Sequence, residues 1–250
     1  MRQLENKVIL VTGAFGQAGQ SAVSLFLEKG AYVAATDRWE SEKFPNLTGL
    51  KEQYGEDRLI YVQADIFEES EVQRVIAETD KHFGRLDGTY HTVYGSVEKP
   101  ALELTLEEWD FTLKGTLTST FLVNKYALPV MIRSGGGSIV NVSSVLAFRP
   151  QASSLAYGTA KAGINHFTRI IAASYAKQGI RANSIVPGDF KSEEGWNSLP
   201  ESVKQDIRDS TLLGRSGTPV EINEMAAFLL SDASSYITAS LFTVDGGYKI

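Results

Sequence analysis

The sequence has no cysteine. Disulfides, thiolate metal sites and a cysteine nucleophile are thereby excluded, and the composition suits a reducing cytoplasm. Histidine is scarce: the 3 present, His82, His91 and His166, lack the spacing of metal ligands, so no metal is expected. Positive charge is not in excess either, because 24 Lys and Arg stand against 30 Asp and Glu, a formal net charge of -6. A nucleic-acid binder or a protein of anionic membranes needs a basic face, so neither partner is expected. No apolar run approaches the ~20 residues of a membrane span. The opening stretch Met1-Arg2-Gln3-Leu4-Glu5-Asn6-Lys7 leads into only a short apolar run, unlike a secretory leader. Internal repeats, low-complexity tracts and linker-like stretches are missing too. What remains is an ordinary globular composition, 43% hydrophobic and 22% charged. It is expected to form one domain over residues 1–250, in the cytoplasm.

The residues that are present alternate between strand and helix patterns. Val8-Ile9-Leu10-Val11, Tyr32-Val33-Ala34-Ala35-Thr36 and Leu59-Ile60-Tyr61-Val62 are short β-branched-rich runs, as are 138–142, 181–186 and 241–244. That is the pattern of strands buried on both faces. Helices are expected at 20–29, after Pro45, at 68–83, from Thr105 toward Ile132, at 152–176 and at 220–230. Thr105 and Glu108 have capping-box spacing, and Pro129 is expected to end or kink that helix near Leu128. Such alternation implies βαβ units and a mostly parallel sheet with helices on both faces. Residues 189–211 interrupt it with a polar stretch and a short amphipathic segment. Ligands bind outside the carboxyl ends of the strands in such sheets, so this insertion is either a lid or a solvated loop.

Three constellations carry chemistry. Gly13-Ala14-Phe15-Gly16-Gln17-Ala18-Gly19 lies between the first strand and the first helix, where glycines let backbone N–H groups approach a pyrophosphate. Asp37 ends the second strand, where a carboxylate accepts hydrogen bonds from an adenosine ribose and repels a 2′-phosphate. NAD(H) is therefore favoured, while Arg38 keeps NADP(H) open, because a guanidinium attracts that phosphate. Next, Tyr157 and Lys161 are spaced i, i+4 on one helix face, and Ser144 ends a strand upstream. A nearby ammonium is expected to lower the phenol's pKa and make it a usable acid/base. Finally, Pro187-Gly188 ends a strand and Ser192 follows, either as a carboxamide ligand or as a helix cap. Asp65, after the third strand, either meets an adenine edge or caps the next helix.

In this order and spacing, the Gly-rich turn, Asp37, Asp65, Asn141-Val142-Ser143-Ser144, Tyr157 and Lys161, Pro187-Gly188 and Val244-Asp245-Gly246-Gly247 resemble the short-chain dehydrogenase/reductase family, over essentially the whole chain. The resemblance implies a Rossmann-type, doubly wound sheet of about seven strands. It implies hydride transfer between a secondary alcohol and a ketone, with Tyr157 as acid/base, Lys161 on the ribose and phenol, and Ser144 on the substrate oxygen. The implied cofactor set is Gly13, Phe15, Gly16, Gln17, Ala18, Gly19, Asp37, Arg38, Asp65, Ile66, Tyr157, Lys161, Pro187, Gly188 and Ser192. A homotetramer is suggested too, together with the apolar stretch from Tyr236 to Val244. Three departures stand out. The glycines read Gly-x-x-Gly-x-x-Gly, with Gln17 where compact members have glycine. His91-Thr92-Val93-Tyr94 replaces an Asn-Asn-Ala-Gly stretch, so Val93 and Tyr94 are expected to crowd the cofactor ribose. Thr116 takes the place of the asparagine that completes the catalytic tetrad, and is a weak candidate for holding a relay water. These departures motivate a second reading, a cofactor-binding protein with a regulatory role and little turnover. Substrate identity is not legible.

Overall fold

A computed structural model describes residues 3–43 and 45–248. Met1 and Arg2 of the opening stretch lie outside the described residues. The β-branched runs become β1 (Val8–Thr12), β2 (Tyr32–Asp37), β3 (Leu59–Gln63), β4 (Gly88–His91), β5 (Gly137–Val142), β6 (Ile180–Pro187) and β7 (Leu241–Val244). They form one seven-stranded sheet in the order β3-β2-β1-β4-β5-β6-β7. Every neighbouring pair is parallel.

Side chains alternate across a strand, and β1 shows why its run is apolar throughout. Ile9 and Val11 enter a core with Val23, Phe26 and Ile222. Val8 and Leu10 enter a second core with Val75, Leu122 and Ile171. One face is covered by α1 (Gln17–Glu28), α2 (Pro45–Tyr54) and α9 (Pro219–Leu230). The other is covered by α3 (Glu69–Phe83), α5 (Ser119–Arg133) and α6 (Leu155–Tyr175). α4 (Leu106–Leu113) opens with the capping box expected of Thr105 and Glu108. The insertion after β6 carries two short helices, α7 (Glu193–Asn197) and α8 (Glu201–Ser210). Strand order reverses between β1 and β4, so the site is expected at the carboxyl ends of these two strands.

Two expectations need correction. Helix α1 begins at Gln17, three residues before the expected start, because Gly16 is extended (φ -68°, ψ 163°) and serves as its N-cap. Pro129 neither ends nor breaks its helix, since α5 continues through it to Arg133. Proline removes one helical N–H, but its neighbours Val130 and Met131 are buried, and packing outweighs that loss. The irregularity sits earlier, in a π-helical turn over Lys114–Thr118 that joins α4 to α5.

A buried polar chain fixes the start of α1 against the sheet. Tyr90 Oη donates to Asn223 Oδ1 at 2.9 Å, and Asn223 Nδ2 donates to Ala18 O at 2.8 Å. The Tyr90 hydroxyl and both ends of the Asn223 amide have partners, so the relay locks geometry without a desolvation cost left unmet.

Candidate active site

The turn after β1 holds two glycines with no room for a side chain, Gly13 and Gly19. Gly13 has φ +70°, and a Cβ there would meet Thr92 Oγ1 at 2.6 Å. At Gly19 a Cβ would lie 2.0 Å from Gly13 O, so the first turn of α1 sits directly on the loop. Gly16 is less confined, with Gly13 O at 3.4 Å. From the neighbouring strand Asp37 reaches back: its Oδ2 accepts from Phe15 N at 3.0 Å and its Oδ1 from Arg38 N at 2.8 Å. Two backbone donors thus hold the carboxylate at the rim of the cleft, with acceptor capacity to spare. Arg38 stacks on Trp39, its guanidinium 4.8 Å from the ring centroid.

Except for Gly19, which lies outside the lining, these residues border a cleft of about 820 Å³ that runs past Asp65, Ile66 and Val93 to Tyr157, Lys161, Pro187 and Gly188. The donor set suits an elongated dinucleotide: a backbone turn without side chains, a carboxylate at one end, a phenol and an amine at the other. Asp65 does not cap the next helix, whose N-cap is Glu68; its Oδ1 accepts from Phe67 N at 3.0 Å, two residues on, and the residue lines the cleft. Val93 and Tyr94, the residues expected to crowd the cofactor ribose, both line this cleft, and the Tyr94 ring centroid lies 5.6 Å from Lys161 Nζ. Val93 packs partly into the core, and Tyr94 is 58% exposed.

A second cleft of about 560 Å³ adjoins the first, and Tyr94, Ser96, Tyr157, Gly188 and Asp189 line both. Ser144 lines the second cleft and hydrogen-bonds to Tyr157, while its Oγ also accepts from Leu146 N at 3.1 Å. Lys161 lines the first. Burial raises the Tyr157 phenol above its ordinary pKa, with Tyr94 and Glu98 adding to the rise and the Ser144 hydrogen bond opposing it.

The role expected of Lys161 needs revision on this point. Its Nζ donates to Val142 O at 2.7 Å and lies 5.4 Å from the Tyr157 ring centroid. It does not figure among the groups that move the phenol. Burial instead lowers Lys161 itself to about 7, since stripping water from an ammonium disfavours its charge. His91, beneath the site, is held near 3 by burial, aided by the Lys161 charge, and is therefore neutral. Its ring bridges Thr12 Oγ1 at 2.7 Å and Ser119 Oγ at 3.2 Å.

Two further residues take structural positions. Thr116 Oγ1 donates to Gly95 O at 2.7 Å and accepts from Gly95 N at 3.2 Å, clasping the loop after β4 to the π-helical turn. It lies outside the lining of both clefts. Ser192 Oγ accepts from Gly195 N at 3.1 Å as the N-cap of α7, and it too is absent from the linings. Its neighbour in the lining is Lys191. Trp39, Phe67, Glu98 and Tyr248 also line the clefts. They were not singled out from the sequence because neither spacing nor motif marks them.

The family model described as Enoyl-(Acyl carrier protein) reductase matches residues 14–249. The NAD-dependent glycerol dehydrogenase of Listeria innocua serovar 6a is 33% identical, over 99% of this chain and 95% of that protein. This chain belongs to the short-chain dehydrogenase/reductase family. As a member it is a nicotinamide-dependent oxidoreductase of CH–OH groups. The 3-oxoacyl-(acyl-carrier-protein) reductase FabG of Thermotoga maritima is 32% identical, over 99% of this chain and all (100%) of that one. Among solved structures, a short-chain type dehydrogenase/reductase from Mycobacterium ulcerans matches with a TM-score of 0.90 and 30% identity, covering 98% of this chain and 90% of that chain. The two named relatives differ in substrate at nearly equal identity, so overall likeness does not choose between them. Among the described residues no helix is long and apolar enough to cross a membrane.

Proposed function

We propose that this protein interconverts a secondary alcohol and a ketone using NAD(H), with Tyr157 as the acid/base. The observation that carries the reading is the position of Tyr157 in the linings of both clefts, hydrogen-bonded to Ser144. A nicotinamide bound in the larger cleft supplies or accepts the hydride. Tyr157, kept protonated through neutrality by its burial, gives a proton to the carbonyl oxygen in reduction and takes it back in oxidation. Ser144 holds the same oxygen while charge develops on it. Lys161 fixes the floor of the site through Val142 O and is the cation nearest the phenol's ring. Asp37 selects NAD(H) at the far end, since a second negative charge on a 2′-phosphate meets its carboxylate.

The segment 189–211 acts as the lid, entering the cleft lining through Asp189, Phe190 and Lys191, with Gln17 as its tether. In support, Gln17 Oε1 accepts from Ser192 N at 3.0 Å. The whole chain works as one domain and as a homo-oligomer, for which the exposed Phe111, Phe121 and Ile170 on α4, α5 and α6 offer apolar surface. Sedimentation at micromolar concentration tests the assembly, and a species of monomer mass alone contradicts it. Initial rates with a panel of alcohols and ketones, each with NADH and NADPH or their oxidised forms, test the reaction itself. Turnover with none of them contradicts it.

A further inference from the structure

We infer that the loop after β4 selects an uncharged, hydroxyl-bearing substrate and rejects carboxylates, with Glu98 as the charge filter and Tyr94 as a second phenol beside Tyr157. This rests on the oxidoreductase reading above.

The second cleft reaches Ser144 and Tyr157, the pair placed on the reacting oxygen. Its lining holds two carboxylates, Glu98 and Asp189, and no lysine or arginine. Asp189 is compensated, for its carboxylate is bonded to the Lys191 ammonium and accepts from Ser216 Oγ at 2.6 Å. Glu98 is not: it makes no ion pair or hydrogen bond with another described residue, whereas the adjacent Lys99 is paired with Glu108 at 2.5 Å. The negative charge of Glu98 is close enough to Tyr157 to oppose a second negative charge there. A substrate carboxylate set near the reacting carbon meets the same field. Arg149, whose guanidinium stacks on Tyr248 at 4.6 Å, is not in the lining.

The same loop supplies neutral hydrogen-bonding groups. The Tyr94 ring stands edge-on to Tyr157 with centroids 5.7 Å apart, and the residue is exposed and lines both clefts at their junction. Tyr94 Oη and Ser96 Oγ make no hydrogen bond with another described residue. Groups of this kind suit the hydroxyls of a small polyol or hydroxyketone, which give and take hydrogen bonds without charge. A carbonyl compound with a large apolar body leaves these groups unpaired, at a cost to binding.

The test compares two ketones that differ only by a hydroxymethyl and a carboxylate group, dihydroxyacetone and hydroxypyruvate, with cyclohexanone as an apolar control. Wild-type protein, Glu98→Gln, Glu98→Lys and Tyr94→Phe are assayed with NADH at low and high salt. Comparing variants cancels the intrinsic reactivity of each ketone. The inference expects Glu98→Gln to raise the hydroxypyruvate-to-dihydroxyacetone ratio of kcat/KM by about threefold at low ionic strength, and Glu98→Lys by more. Both gains shrink toward unity in about 1 M salt, because an exposed charge is screened. Tyr94→Phe lowers kcat/KM for dihydroxyacetone relative to cyclohexanone. A ratio unmoved by either Glu98 variant overturns the inference, as does a wild-type preference for cyclohexanone over dihydroxyacetone; in both cases the oxidoreductase reading stands. No turnover of any of the three overturns the inference, and if a broader panel of alcohols and ketones also fails, the parent reading falls with it.

Discussion

The side-chain oxygen of Gln17 accepts a hydrogen bond from the backbone N–H of Ser192 at 3.0 Å, across 175 positions of sequence. One end of that bond is the first residue of α1, in the glycine-rich turn; the other is the cap of α7 in the lid segment. A glycine at position 17 has no side chain with which to make it.

Gln17→Ala therefore frees the lid from the turn. One hydrogen bond contributes about 1 kcal/mol, or roughly a fivefold change in a local opening equilibrium. Amide exchange at Ser192 and proteolytic cleavage within 189–211 should accelerate by that factor, with the global unfolding midpoint little changed. Unaltered exchange at Ser192 contradicts the tether.

Two of the turn's three glycines, Gly16 and Gly19, should respond differently to one methyl group. Gly19→Ala places Cβ against Gly13 O at 2.0 Å, backbone against backbone, where neither side can yield cheaply. Overpacking of this kind costs about 1–3 kcal/mol. Gly16→Ala meets the same oxygen at 3.4 Å, within ordinary contact range. Urea unfolding should rank the variants in that order, and equal midpoints contradict the packing described for the loop.

Asp37 sets cofactor choice in this account. Asp37→Ser removes the negative charge and one acceptor, so kcat/KM should fall for NADH and hold or rise for NADPH. Initial rates with both cofactors check this. A wild-type preference for NADPH of tenfold or more, about 1.4 kcal/mol, means that Arg38 dominates instead.

Lys161 gives a pH signature in the cofactor-free protein. Its folded pKa of about 7 lies below the unfolded value for lysine, about 10.4. Between those values the unfolded chain binds one proton more than the native one, so stability rises with pH across this window and is lowest below it. Lys161→Met abolishes that titration. Chemical unfolding at about pH 7 and about pH 9.5 should show a gain for wild type that the variant lacks. The Tyr157, Tyr94 and His91 neighbours remain in both proteins, so a common slope contradicts the assignment to Lys161.

Much of the fold was legible because buried parallel strands and capped helices leave local marks. Val8 to Val11 is apolar throughout because both faces of β1 are covered, and Thr105 with Glu108 announces α4. What was not legible depends on contacts made elsewhere. Pro129 stays inside α5 because its neighbours are buried, which spacing does not reveal. The start of α1 depends on the Gly16 backbone rather than on side-chain chemistry. Within the site, the i, i+4 spacing placed Tyr157 and Lys161 on one face, but the amine's partner, Val142 O, and its burial belong to the sheet. Sequence position carries no rotamer, so the placement of the Tyr94 ring edge-on to Tyr157, in the linings of both clefts, was not legible.

The central claim is that Tyr157 moves the proton. Its most direct test is the initial rate of NADH-dependent ketone reduction, and of the reverse oxidation, by wild-type protein and Tyr157→Phe across the neutral and alkaline range. The variant keeps the ring and loses only the hydroxyl. The account predicts a fall in kcat of about 10²–10⁴-fold, with NADH binding and the unfolding midpoint retained. Because burial holds the phenol protonated, wild-type oxidation should speed up as pH rises while reduction does not. Turnover by Tyr157→Phe at the wild-type rate, on a ketone that the wild type reduces, contradicts the account.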